Sequence, residues 1–139
     1  MHVLSFLTRL VIPHHCILCK TTLRLKEQSI CQICVCSQAR CTKFDVLPHQ
    51  RIFDTVGASF QSVLINTEST SHLCKNLKYG FNYRLGISLG KSLLGPYLQS
   101  FCERVNKNPV LIPVPVSRKR KKMRGYNQSE KLSQGCLQF

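Results

Sequence analysis

The stretch from Val110 to Glu130, VLIPVPVSRKRKKMRGYNQSE, decides how the rest of the chain is read. Val110, Leu111, Ile112, Val114 and Val116 form an apolar run rich in β-branched residues, the pattern of a buried strand. Pro113 and Pro115 interrupt it, so its last residues should leave the ladder for a loop. Arg118, Lys119, Arg120, Lys121, Lys122 and Arg124 then put six cations into seven positions. Gly125 follows, and Asn127 with Glu130 three residues on has the pattern of a capping box that opens a helix. The order is strand, basic loop, helix start. Open α/β sheets place phosphate ligands at the carboxyl ends of strands, and helix starts present free N–H groups to anions.

The string IPVPVSRKRKKMRGYNQSE resembles the signature of the ComF-type competence family, in which an (I/V)PVP strand is followed by a basic loop and RG(F/Y)NQ. The segment from His72 to Gly80, ending LKYG, resembles that family's LKYxG helix end. The resemblance implies an α/β architecture: an N-terminal zinc ribbon, then an incomplete phosphoribosyltransferase-like (Rossmann-like) domain. It implies phosphoribosyl pyrophosphate as the substrate of the intact family and a role in DNA uptake or nucleotide metabolism. By that analogy Val114, Ser117, Arg118, Lys119, Arg120, Lys121, Lys122 and Arg124 contact pyrophosphate or nucleic acid. Arg124, Asn127 and Gln128 order the loop and the helix start.

Members of that family carry a further loop with an acidic pair and a Thr/Gly-rich turn, which holds the ribose and its 5-phosphate. No such run occurs in these 139 residues, so the resemblance covers only the first part of a transferase domain. The expectation is a truncated chain that does not by itself turn over phosphoribosyl pyrophosphate. Missing strands would leave the Ile112 strand at a sheet edge open to a partner protein. Two further readings stand beside this one. One is a zinc-ribbon module that binds nucleic acid without catalysis, with single-stranded DNA as partner. The other is a non-functional gene remnant.

The formal charge of +14 extends beyond the loop, since removing its six cations leaves +8. Such a surface attracts nucleic acid, phosphates or acidic proteins and says nothing about fold. Six carboxylates in all argue against a paired-carboxylate hydrolase. The apolar N-terminal stretch, MHVLSFLTRLVIP, holds Arg9 and lacks a cationic head and a small-residue cleavage site, so it does not read as a signal peptide. No stretch approaches the roughly 20 apolar residues of a membrane span. A cytoplasmic, reducing location is the expectation.

In that setting clustered cysteines point to metal rather than disulfides. Cys16 and Cys19 form one C-x-x-C knuckle, Cys31 and Cys34 another, with eleven residues between. Four thiolates complete a tetrahedral shell, so structural zinc is the expected cofactor, with an iron–sulfur cluster as the alternative. Cys36 is a rival ligand for Cys34. Cys36 and Cys41, with His14, His15 or His49, form a conceivable second site.

Residues 1–47 therefore read as a short helix (3–12) plus the cysteine-rich head, and residues 48–139 as the second domain. There, 56–60 reads as a strand. Thr70 or Ser71 should cap a helix on which Leu73, Cys74 and Leu77 share a face, stopping at a left-handed Gly80. Tyr83 to Val105 carries a long helical pattern, which Gly86 and Gly90 let lie close to a sheet and Gly95-Pro96 should kink. Cys74, Cys102 and Cys136 read as buried fillers.

Overall fold

Leucines recur every four residues at Leu73 and Leu77, and again at Leu85, Leu89 and Leu93. All five are buried, and they form the centre of the molecule. The computed structural model describes residues 13–24, 27–38, 62–105 and 110–138. The expected helix over 3–12, the strand over 56–60, the 47/48 boundary, Cys41 and His49 lie outside them.

The α/β expectation is corrected. Helices dominate, and no sheet occurs among the described residues. Residues 110–117 form neither helix nor strand. The β-branched run has no ladder among the described residues. Pro113 and Pro115 have no N–H to donate, which removes every second rung along one edge. Among the described residues there is therefore no sheet edge at Ile112 for a partner to extend.

In chain order the helices are α1 (Gln32–Cys36), α2 (Glu68–Tyr79), α3 (Tyr83–Leu89), a π-helical turn (Gly90–Leu94), α4 (Gly95–Val105), α5 (Arg118–Arg124) and α6 (Gln128–Cys136). Helix α2 starts earlier than the sequence suggested. Thr67 is its cap, the Thr70 N–H donating to its hydroxyl at 3.2 Å. Leu73 and Leu77 face inward, but Cys74 is exposed and is no filler. The helix does stop at Gly80, though with φ −87°, and the left-handed residue is Phe81 at φ 50°. Gly80 is needed for space instead, since a Cβ there would lie 2.7 Å from the Asn76 carbonyl oxygen.

The pattern over 83–105 is helical throughout, and its irregularity is the π turn just ahead of Pro96. Proline cannot donate to the carbonyl four residues back, and a wider turn absorbs the mismatch. The close approach there is to α6, not to a sheet. Gly90 and Gly135 meet where the two helices cross: a Cβ on Gly90 would strike the Leu132 carbonyl oxygen, and one on Gly135 the Ile87 carbonyl oxygen. Cys136 lies at the same crossing, its thiol 3.6 Å from the Gly90 carbonyl oxygen. It and Cys102 are half-buried.

Tyr126 locks α2 to the segment before α6. It is 7% exposed, and its hydroxyl donates to the Leu77 carbonyl at 2.7 Å. Leu77 sits in the last turn of α2, where carbonyls have no partner within the helix. Burial pushes the phenol above its ordinary range, with Arg124 pulling the other way, so the proton stays on. Tyr126→Phe leaves that carbonyl buried and unpaired, which costs about 1–3 kcal/mol. Thermal unfolding of the metal-loaded protein should shift down by about 4 °C or more; an unchanged midpoint would show that the bond does not hold α2.

Candidate metal centre and cationic helix

The head is built by two knuckles. In the first, Cys16 N–H donates to the Thr21 carbonyl at 2.9 Å, Lys20 N–H to the Cys16 carbonyl at 3.0 Å, and Leu23 N–H to the His14 carbonyl at 2.8 Å. A bridge between His15 and Thr22 closes the turn. Lys20 takes φ 62°, a conformation non-glycine residues adopt only when the surroundings impose it. In the second knuckle Glu27 accepts from Arg24 N–H at 2.8 Å and from Gln32 N–H at 2.7 Å, which fixes the start of α1. Those two bonds hold its carboxyl below the ordinary range. Their contribution is therefore present above the unfolded carboxyl pKa and is lost as pH falls through the lower folded one.

These turns bring Cys16, Cys19, Cys31 and Cys34 together, with all four sulfurs within 4.8 Å of one another. A tetrahedral ion with metal–sulfur bonds of about 2.3 Å places its ligands about 3.8 Å apart, and the Cys19 and Cys31 sulfurs are 3.6 Å apart. Backbone N–H groups point at the sulfurs: Cys31 N–H donates to Cys16 Sγ and Cys34 N–H to Cys31 Sγ, each at 3.4 Å. Such donors stabilise thiolates and fix their direction. The four cysteines thus fit a metal ion. Cys36 is exposed, accepts from the Gln32 side chain at 3.6 Å and stands outside the group. Neither His14 nor His15 joins it, and His15 Nδ1 is instead 3.0 Å from the Lys20 carbonyl oxygen.

The four sulfurs are not equivalent. Cys16, Cys31 and Cys34 are buried, and Cys19 is exposed. The Thr21 hydroxyl and then the Thr21 backbone N–H hold the Cys19 thiol down to about 6. Cys31 is pulled down by the Cys34 N–H, but burial together with the Cys19 and Cys16 side chains outweighs it and leaves it raised. Burial pushes Cys34 well up. At neutral pH the metal therefore meets the Cys19 thiolate ready-made and must displace protons from Cys31 and Cys34.

The basic run is not a loop. Arg118–Arg124 is the helix α5, capped by Ser117, whose hydroxyl accepts from Arg120 N–H at 3.3 Å. It ends at Gly125 with φ 77°. Lys, Arg and Met are good helix formers, but at seven residues such a helix is short to stand alone. Its like charges repel at i and i+4, and cations at its N-terminus oppose the dipole. Arg118, Lys119, Arg120, Lys121 and Lys122 are all exposed, while Arg124 is half-buried and lies over the Tyr79 ring at 5.4 Å. The ion pair recorded for α5 is Lys121 with Glu130 at 3.7 Å.

Asn127 and Gln128 do not join that exposed row. Asn127 is 2% exposed and caps α6, accepting from Ser129 N–H at 3.0 Å. Its amide donates to Glu130 at 3.3 Å and to the Val114 carbonyl at 3.1 Å, which ties the segment at Val114 to α6. Gln128 is buried beside it. They position the cations rather than extend them. Tyr126, next to the cations in sequence, is buried and cannot stack on a base. Tyr79, 62% exposed and touched by Arg124, is the aromatic the sequence reading missed. Forty-odd residues of intervening chain hide that pairing. Comparisons with protein-family models, with curated proteins and with solved structures find no match to this chain.

Cys16→Ser should abolish stoichiometric metal uptake, read by elemental analysis, whereas Cys36→Ser should leave it unchanged. The reverse pattern would move the site. Calorimetry of metal uptake in buffers of different ionisation enthalpy should count fewer than four protons released at neutral pH, rising as pH falls below about 6, where Cys19 becomes protonated. Four or more at neutral pH would contradict the assignment of Cys19.

Proposed function

We propose that this protein is a non-catalytic nucleic-acid-binding module, clamped by structural zinc, that takes single-stranded DNA along α5. The observation that carries the reading is the row of exposed cations on a capped helix, with the half-buried Arg124 stacked on exposed Tyr79. Phosphates relieve the repulsion within α5, and an aromatic face beside a cationic track is a stacking platform for bases. Phosphate contacts and stacking on an aromatic face carry no sequence code, so binding is blind to sequence. The likeness of residues 112–130 to the ComF type points the same way, through that family's implied role in DNA uptake. Zinc is the metal we assign because four thiolates in a tetrahedral spacing suit it. Four protein ligands leave no open position, so its role is to fold the head. Phosphoribosyl transfer is not assigned, because the described residues lack the sheet on which that chemistry would be mounted.

Six cations meeting phosphates of a single strand give a log–log salt slope of about −4. Fluorescence anisotropy with oligo-dT should show that slope, and it should flatten when Arg118, Lys119, Arg120, Lys121, Lys122 and Arg124 are changed to Ala. Tyr79→Ala should weaken binding by about 1 kcal/mol or more, with the slope unchanged. A slope indifferent to the six substitutions would dispose of the reading.

A further inference from the structure

We propose that the outward face of residues 110–114, together with the neighbouring cations of α5, docks this protein on an anionic lipid surface. Exposure is greatest at every second residue from 110 to 114: Val110 is 84% exposed, Ile112 78% and Val114 69%, against 41% for Leu111, with Pro113 half-buried; past that point Pro115 is exposed and Val116 half-buried. That is the period of an extended chain, so three aliphatic side chains form one outward row. The row is held in place from below, by the Asn127 amide on the Val114 carbonyl and by the Ser117 cap that leads directly into α5. Met123, 56% exposed, adds an apolar side chain on α5 itself.

Contiguous exposed aliphatic side chains in a folded protein mark an interaction surface. Nucleic acid makes no use of these, since valine and isoleucine offer no face to a base. A second copy of the chain is disfavoured by a formal charge of +14 on each. A bilayer with anionic headgroups satisfies both halves: the aliphatic row enters the headgroup–acyl boundary while the cations meet lipid phosphates. Neither half suffices alone, because a few apolar side chains or a few surface charges bind membranes only weakly and reversibly. This inference does not rest on the nucleic-acid reading, although the two share the cations.

The test uses the full zinc-loaded chain with extruded vesicles of phosphatidylcholine, alone or with about one third phosphatidylglycerol. Co-sedimentation should show binding to the anionic vesicles and little to the neutral ones. Changing Val110, Ile112 and Val114 together to Ser should weaken vesicle binding about tenfold or more while oligo-dT affinity stays within about twofold. The chain has no tryptophan, so Ile112→Trp supplies a reporter. Its emission should shift to the blue with anionic vesicles and not with oligo-dT. Equal loss on both ligands, an unshifted tryptophan, vesicle binding indifferent to the three serines, or a dimer at working concentration that those serines dissolve would each overturn the proposal.

Discussion

Four sulfur atoms within 4.8 Å of one another are the constraint on which the rest depends. Among its described residues the head around them has one isolated bridge and one helix of five residues, which is little regular structure. Its buried apolar residues are Cys16, Cys31 and Cys34 with Ile30 and Val35, and they belong to the same cluster as the leucines of α2 and α3. A hydrogen bond from the Ser29 hydroxyl to the Asn82 side chain, 3.3 Å, ties the head to the start of α3. Without an ion, four sulfur atoms must share a small space. With one, the same atoms become a tetrahedral clamp.

A second chain of dependence runs from that core to the surface. Leu77 is buried in α2, and its carbonyl receives the Tyr126 hydroxyl. Tyr126 fixes Gly125 and Asn127 on either side, and these end α5 and begin α6. Asn127 reaches on to Val114. The motif Arg124-Gly-Tyr-Asn-Gln128 is therefore a junction. Tyr126 enters the core, and Asn127 both caps α6 and holds the segment at Val114. The cations and the aliphatic row are displayed by a frame whose anchors are buried, so neither is a solvated tail.

The legible parts of the sequence were those set by local chemistry. The two C-x-x-C knuckles specified their sulfurs because each knuckle is a short turn whose geometry depends on few other residues. Leu73 and Leu77, and the Asn127–Glu130 pair, were readable because helix periodicity and capping are also local. What the sequence hid was relational. The β-branched run at 110–116 reads as a strand, but a strand needs neighbours, and local pattern does not supply them. Six cations between a proline-broken run and a helix start read as a loop, and the short helix they form depends on the caps at Ser117 and Gly125. Gly90 suggested a close approach but not its partner, Gly135. The pairing of Tyr79 with Arg124 had no sequence signal at all.

The most direct test of the account is X-ray absorption at the zinc edge on the zinc-loaded chain. Four sulfur scatterers at about 2.3 Å, with no nitrogen or oxygen in the first shell, are predicted. A shell in which two or more positions are nitrogen or oxygen would contradict the four-thiolate clamp and, with it, the head from which the rest of the structure is held.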